Sequence, residues 1–274
     1  MTLVIASVWG RSVLLVSDSR ASMGPVAAEE HKLHPIYMGE GDEELDLGVA
    51  AGAGDAALVK QWFGIAEDAL LGWAREVGAA ERRNPRVEEL KAIVDSVEAR
   101  LMERYSKLRG LGIEVDAELV LGAVSAEGTP ILYYFDPRGV AEPRHESPGY
   151  ALLGRGMVTG GLVLLKLLGF TPEKAQGWDA GLLAAFLIDM VSEVDPSVSP
   201  FMGDSYLIRY DEDSRRVVMG PLKEEAYRDY KNRVRIRRKL MEELWSLADE
   251  LGERRVERAL ARLGSRARGS TAHP

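Results

Sequence analysis

Cysteine is absent from the 274-residue chain, which excludes a disulfide scaffold, a cysteine nucleophile and any thiolate metal site. Histidine is scarce: His31, His34, His145 and His273 are too scattered for a histidine-rich metal centre, and no metal or organic cofactor is expected. Long apolar runs are missing as well. The stretches around 157–168 and 181–190 carry Lys166 and Asp189 and fall short of the ~20 residues that a membrane span needs. The opening Met-Thr-Leu-Val-Ile-Ala has no basic flank and breaks at Gly10-Arg11, so it does not read as a signal peptide. These absences point to a cytoplasmic protein with no membrane partner.

What remains is ordinary globular material, 46% hydrophobic and 28% charged, of a length that suits one large domain or one domain plus an extension. Charge is uneven along it. Residues 221–274 hold 14 Lys/Arg and 9 Asp/Glu, a net of +5, so the whole-chain charge of −8 leaves −13 on residues 1–220. A domain boundary is therefore expected near 220, with a basic helical extension ending in a disordered tail beyond it.

Patterning supplies the elements. Aliphatic runs at 3–8 and 12–18, split by Trp9-Gly10-Arg11, predict a hairpin. A loop with Gly24-Pro25 follows, then strands near 33–37 and 45–51. Helical spacing of Leu58, Trp62, Ile65, Ala66, Leu70 and Trp73 predicts a helix from Asp55 to about Val77, and Val87, Leu90, Ile93, Val94, Val97 and Leu101 predict another over 86–109. Strands are expected at 117–125, 130–135 and 150–153, helices at 157–169 and 173–193, and strands at 205–210 and 216–219. Strands, two helices, strands, two helices, strands is a segregated order. It predicts an α+β fold of stacked sheets covered by helices on both outer faces. Beyond 220, helices are expected at 222–249 and 253–263. Gly52-Ala-Gly54 and Gly154-Arg-Gly156 read as tight turns rather than phosphate loops, since neither is followed by Lys-Ser/Thr.

The amino terminus carries the chemistry. Thr2 follows the initiator methionine, whose removal would expose a hydroxyl nucleophile and a free α-amine on one residue. An α-amine with a pKa near ~7.7–8 is partly free base at neutral pH. Lys32 is the only lysine in the first 59 residues of a chain with 26 arginines and 9 lysines. A buried ammonium beside the amine would favour its free base, and Asp18 is placed to pair with that ammonium. A plain surface Asp18–Lys32 pair remains an open alternative on the residues alone.

Thr2-Leu3-Val4-Ile5-Ala6, Val16-Ser17-Asp18-Ser19-Arg20-Ala21-Ser22-Met23-Gly24, Lys32-Leu33 and Ala51-Gly52-Ala53-Gly54-Asp55-Ala56 together resemble the amino-terminal third of proteasome β subunits, threonine-type N-terminal-nucleophile (Ntn) hydrolases. The spacing from Thr2 through Gly24 matches without a gap. Lys32 comes two residues early and the Gly52 motif is one residue short. The resemblance implies a four-layer αββα Ntn sandwich with a helical C-terminal extension, and a threonine enzyme acting on peptide bonds through an acyl-enzyme. Thr2 would be the nucleophile, Lys32 would tune its amine, Asp18 would hold Lys32, and the Gly52 N–H would be an oxyanion donor. Arg20 and Ser22 would line the substrate strand, with Ala21 and Ala50 near the pocket for the residue before the cleaved bond. Asp195-Pro-Ser-Val-Ser199 resembles the family's support for the threonine, with one extra residue, which adds Asp195 and Ser199 to the catalytic set.

There are departures. Gly154-Arg155-Gly156-Met157 stands where the family has Gly-Ser-Gly-Ser, so Met157 replaces a hydroxyl beside the threonine. The Thr-Leu-Val-Ile-Ala opening, the single-methionine leader and the C-terminal appendix are similar to the archaeal connectases, proteasome homologues that ligate peptides, and a connectase-like protein ligase (transpeptidase) is the expectation ahead of an ordinary peptidase. A non-catalytic scaffold on the same fold is the alternative of a different class. A peptide or protein is the expected partner. A monomer is expected ahead of a ring, and nucleic acid is not expected, the basic run Lys231–Lys239 reading instead as a face that docks on the acidic main domain. Leu240, Leu244, Leu247 and Leu251 form an apolar stripe on that helix which requires a covering surface.

Overall fold

The computed structural model describes residues 2–19, 21–23, 26–28, 32–39, 44–171, 178–251, 255, 257 and 258, with the backbone alone at 21–23, 26–28 and 247–251. The described chain divides into two compact units between Tyr227 and Arg228. Twelve strands run as β1 Val4–Trp9, β2 Ser12–Asp18, β3 Ala21–Met23, β4 Val26–Ala28, β5 Leu33–Met38, β6 Leu45–Gly54, β7 Ala117–Val124, β8 Pro130–Phe135, β9 Ala141–Pro143, β10 Tyr150–Leu153, β11 Met202–Asp211 and β12 Arg216–Gly220. The helices are α1 Ala56–Trp73, α2 Val87–Gly110, α3 Leu162–Leu167, α4 Ala180–Val194 and α5 Glu224–Leu251.

Two five-stranded antiparallel sheets have the orders β10-β1-β2-β11-β12 and β5-β6-β7-β8-β9. The interior strands β1, β6 and β7 are apolar at nearly every position because both of their faces are covered. Alternation sorts the side chains. On β2, Val13 and Leu15 face the other sheet, while Leu14 and Val16 face α3 and α4. On β7, Val120 and Val124 face inward, while Leu119, Leu121 and Ala123 meet α1 and α2. Three core clusters thus lie between four layers, and the fold is the αββα sandwich that the element order predicts.

The helices start where their caps stand. Asp55 accepts the N–H groups of Ala57 (2.8 Å) and Leu58 (3.1 Å) ahead of α1, Asp179 accepts Leu182 N–H (3.1 Å) ahead of α4, and the Glu89 carboxylate reaches back to Arg86 N–H (2.7 Å) at the start of α2. Beyond Trp73, α1 continues through a π-helical turn, Ala74–Gly78, to Glu81. Another π-helical turn, Met157–Gly161, leads into α3, so the helix expected over 157–169 is only partly α-helical. The region read as a loop around Gly24-Pro25 carries the small ribbon β3–β4, and β9 was not foreseen.

The helix α5 carries i,i+4 pairs Arg233–Asp229 and Lys239–Glu243. Of its expected apolar stripe, Leu240 is exposed and Leu244 half-buried, and the side chains of Leu247 and Leu251 lie outside the described set. The expected tail and most of the helix expected at 253–263 also lie outside the described residues.

Candidate active site

The β1–β2 register sets the site. Val4 opposite Ser17 brings the end of β2 beside the start of β1, and Asp18 N–H donates to Leu3 O (3.0 Å). Thr2, 6% exposed, lies two residues before the start of β1, and the Asp18 side chain is fully buried. Asp18 Oδ1 accepts three donors: Lys32 Nζ at 2.6 Å, Leu3 N–H at 2.9 Å and, more weakly, the Thr2 hydroxyl at 3.4 Å. Lys32 Nζ also donates to Asp18 O at 3.0 Å. With legs of 2.6 and 3.4 Å through one oxygen, the ammonium and the Thr2 hydroxyl are no more than 6.0 Å apart. The Lys32 side chain is 7% exposed, so the Asp18–Lys32 pair is a buried one rather than a surface pair.

Lys32 is placed by the other sheet. It immediately precedes β5, where Leu33 opposes Ala51, and Gly52 N–H donates to Lys32 O at a long 3.3 Å. Position 52 has no room for a side chain: a Cβ there would stand 2.7 Å from Val59 of α1. The second Asp18 oxygen, Oδ2, accepts Ser199 N–H at 3.0 Å, and the Ser199 hydroxyl oxygen accepts from Ser19 Oγ (2.8 Å) and Phe201 N–H (3.2 Å). One carboxylate therefore ties the chain's first strand, the lysine before β5 and the loop before β11 together.

Asp195 is buried three residues before Val198, whose N–H it accepts through its carbonyl, but its carboxylate faces elsewhere. Its recorded partners are Ser197, through hydroxyl and N–H, and the Thr159 hydroxyl at 3.0 Å. Burial pushes the Asp195 carboxyl up, but those donors and the charge of Arg155 outweigh it and hold the group below the ordinary carboxylate value.

Thr2 is walled by the turn after β10. Gly156 N–H donates to Thr2 O at 3.3 Å, Met157 N–H closes the turn on Gly154 O at 3.0 Å, and Gly154 has φ +82°. A Cβ on Gly154 would lie 2.2 Å from Thr2 O, and one on Gly156 would lie 2.8 Å from Leu3 Cβ. Met157 is half-buried against the core under α4.

The structure thus brings Thr2, Asp18, Lys32, Gly52 and Ser199 together, with Asp195 in the same loop but bonded to other partners. Ala50 is fully buried in the core beneath α1. Ala21 and Ser22 are described as backbone only, and Arg20 lies outside the described residues. His34 stacks on Phe63 and pairs with Glu67 (3.1 Å), and His145 packs on Tyr133. Among the described residues no group of three His, Cys, Asp or Glu is arranged to hold a metal ion. No helix among them is long and apolar enough to cross a membrane.

Sequence reasoning passed over four contributors. Ser19 and Thr159 were hidden by the commonness of isolated hydroxyls, and Glu118 sat inside a strand pattern. Gly203, where a Cβ would lie 2.9 Å from Asp18 O, lets β11 approach Asp18, and a glycine inside a strand is the sign that marks such an approach.

No family model and no curated protein matches the sequence. Among solved structures, the chain is similar to the Gly-1 mutant of Anbu from Hyphomicrobium sp. strain MC1, with a TM-score of 0.65 at 15% identity over 90% of this chain and 97% of that one. A second structure of Anbu from the same strain has a TM-score of 0.62 at 14% identity, over 89% and 97%. The fold is the proteasome-like Ntn sandwich. The finer kinship with archaeal connectases does not stand, because the structural neighbours are Anbu. That expectation rests on the opening, the single-methionine leader and the C-terminal appendix, and the appendix does not set the chain apart: even if every unmatched residue fell within 221–274, about half of it would still lie in the Anbu match.

Proposed function

We propose that the protein is a threonine Ntn enzyme that cleaves peptide bonds through an acyl-enzyme. The observation that carries this reading is the single buried oxygen, Asp18 Oδ1, that receives the Lys32 ammonium, the Leu3 N–H and the Thr2 hydroxyl together. The reading requires Thr2 to stand at the amino terminus after removal of Met1.

In that state the Thr2 α-amine takes the hydroxyl proton as Oγ1 attacks the substrate carbonyl, and the nearby ammonium favours the amine's free base. The C–N bond breaks as the proton passes to the leaving amine, which leaves an ester on Thr2. Water, activated by the same amine, then hydrolyses the ester. Gly52 N–H, which donates to Lys32 O at 3.3 Å, is the candidate oxyanion donor on the family resemblance. Asp195 and Ser199 belong to the supporting loop, and Arg20, Ala21 and Ser22 are offered as substrate contacts on the family resemblance alone, whereas Ala50, fully buried in the core, presents no surface to a substrate. Met157, in place of a hydroxyl, favours the second reading, a non-catalytic binding protein on the same fold.

Treating purified protein with a peptide that ends in an electrophile separates the two. The enzyme reading expects loss of Met1 by intact mass, one covalent adduct mapped to Thr2, and no adduct in Thr2→Ala. Protein that has lost Met1 and takes no adduct excludes it.

A further inference from the structure

The turn that walls Thr2 is tethered from the opposite sheet. Glu118 lies on β7, opposite Ala53 of β6, and is half-buried. Its Oε2 accepts Gly154 N–H at 2.7 Å, and its Oε1 accepts the Tyr134 hydroxyl at 3.2 Å. Gly154 follows β10, the edge strand of the β1 sheet, whereas Glu118 and Tyr134 belong to the other sheet. The shorter bond is charge-assisted, which makes it among the stronger kinds of hydrogen bond. Burial first, and the Glu118 charge next, raise the Tyr134 hydroxyl above its ordinary value, so it stays a donor across the working pH range.

We infer that Glu118 is a positioning residue for Thr2, acting through the Gly154–Gly156 turn. This rests on the proposed enzymatic reading. Held by Glu118, the turn fixes Thr2 O through Gly156 N–H, while Asp18 fixes the next N–H, that of Leu3. With both sides of the Thr2–Leu3 peptide held, the only freedom left to the nucleophile is rotation of its side chain and amine. Releasing Gly154 leaves the first residue anchored on the Asp18 side alone. The reacting groups then sample geometries in which hydroxyl, amine and carbonyl are misaligned, which lowers the rate of attack without changing the cleft that binds the peptide.

The test uses full-length protein lacking Met1 and two readouts: backbone amide exchange at 154–156, and the kinetics of electrophilic peptide addition to Thr2. Glu118→Ala is expected to speed exchange at least tenfold. It is also expected to lower the saturating rate of addition at least tenfold, with the half-saturating peptide concentration held within about twofold. Glu118→Gln, whose carbonyl oxygen still accepts Gly154 N–H, is expected to recover the rate to within about threefold. Tyr134→Phe, which frees only Oε1, is expected to slow addition at least twofold, and it serves if Glu118→Ala does not fold. Unchanged exchange in Glu118→Ala overturns the inference, as does wild-type addition in Glu118→Ala or, where that variant is not obtained, in Tyr134→Phe. Wild-type protein that takes no adduct overturns the functional reading itself, and the exchange readout then decides on its own whether Glu118 holds the turn.

Discussion

A fully buried carboxylate beside a nearly buried ammonium is costly to disturb from one side. Replacing Lys32 by Met takes the 2.6 Å ammonium from Asp18 and leaves its N–H donors, and disrupting this buried pair from one side costs about 3 kcal/mol or more of stability. Adding Asp18→Asn removes the carboxylate charge and is expected to restore most of the stability in urea unfolding. The double variant still fails to label Thr2, because the cation near the amine is gone. Recovery of labelling along with stability would mean that the pair is structural only. Gly154→Ala acts on the same spot by sterics. Its Cβ would sit 2.2 Å from Thr2 O at a φ of +82°, so the turn must shift, and a loss of Thr2 labelling exceeding tenfold is expected in folded protein.

At the scale of elements, α2 depends on one carboxylate. Arg83 grips Glu89 with two nitrogens, Nη1 to Oε2 at 2.6 Å and Nη2 to Oε1 at 2.7 Å, while Glu89 Oε2 also accepts Arg86 N–H. Those bonds, the Arg83 pair foremost, lower the Glu89 carboxyl to about 2 from an ordinary 4.5. A lowered carboxyl contributes stability in full above its unfolded value and loses it as the pH falls from about 4.5 through about 2. More than a quarter of the side chain faces water, so the contribution is roughly 1–2 kcal/mol after screening. Glu89→Gln is expected to flatten that acid limb in unfolding midpoints measured against pH. Retention of the full slope would assign it to other carboxylates.

The elements also show what a sequence discloses. Strands β8 and β10 were legible to the residue, because uninterrupted apolar runs bounded by Gly and Pro turns leave little choice of ends. The ribbon β3–β4 was not, since three-residue strands carry too little periodicity. The break of the 157–169 helix into a π-helical turn has no signature in spacing. In the candidate site, the nearness of Thr2, Asp18 and Lys32 was expected from residue type together with the family resemblance, whereas Glu118 and Thr159 bond partners 36 residues away, which no local pattern encodes.

Across the whole αββα unit, the distance between the two sheets is set partly by Gly122 of β7. A Cβ there would meet Leu15 at 2.8 Å and Val13 at 3.0 Å, both on β2 of the facing sheet. Gly122→Val therefore overpacks the central layer and is expected to cost about 1–3 kcal/mol in denaturant unfolding. Because Lys32 and Asp18 come from opposite sheets, Thr2 labelling should fall by more than the lost stability accounts for. Labelling unchanged in a destabilised variant would show that the site tolerates a wider gap.

The strand that follows Thr2, β1, lies in the interior of its sheet, with β10 on one side and β2 on the other, and β2 in turn waits for β11. The sheet around β1 is thus completed late in the chain, since β10 and β11 follow some 150 and 200 residues later. A half-made chain has the threonine but neither the wall behind it nor the Ser199 donor to Asp18. The surroundings that the proposed chemistry needs therefore come together only once β11 has joined β2.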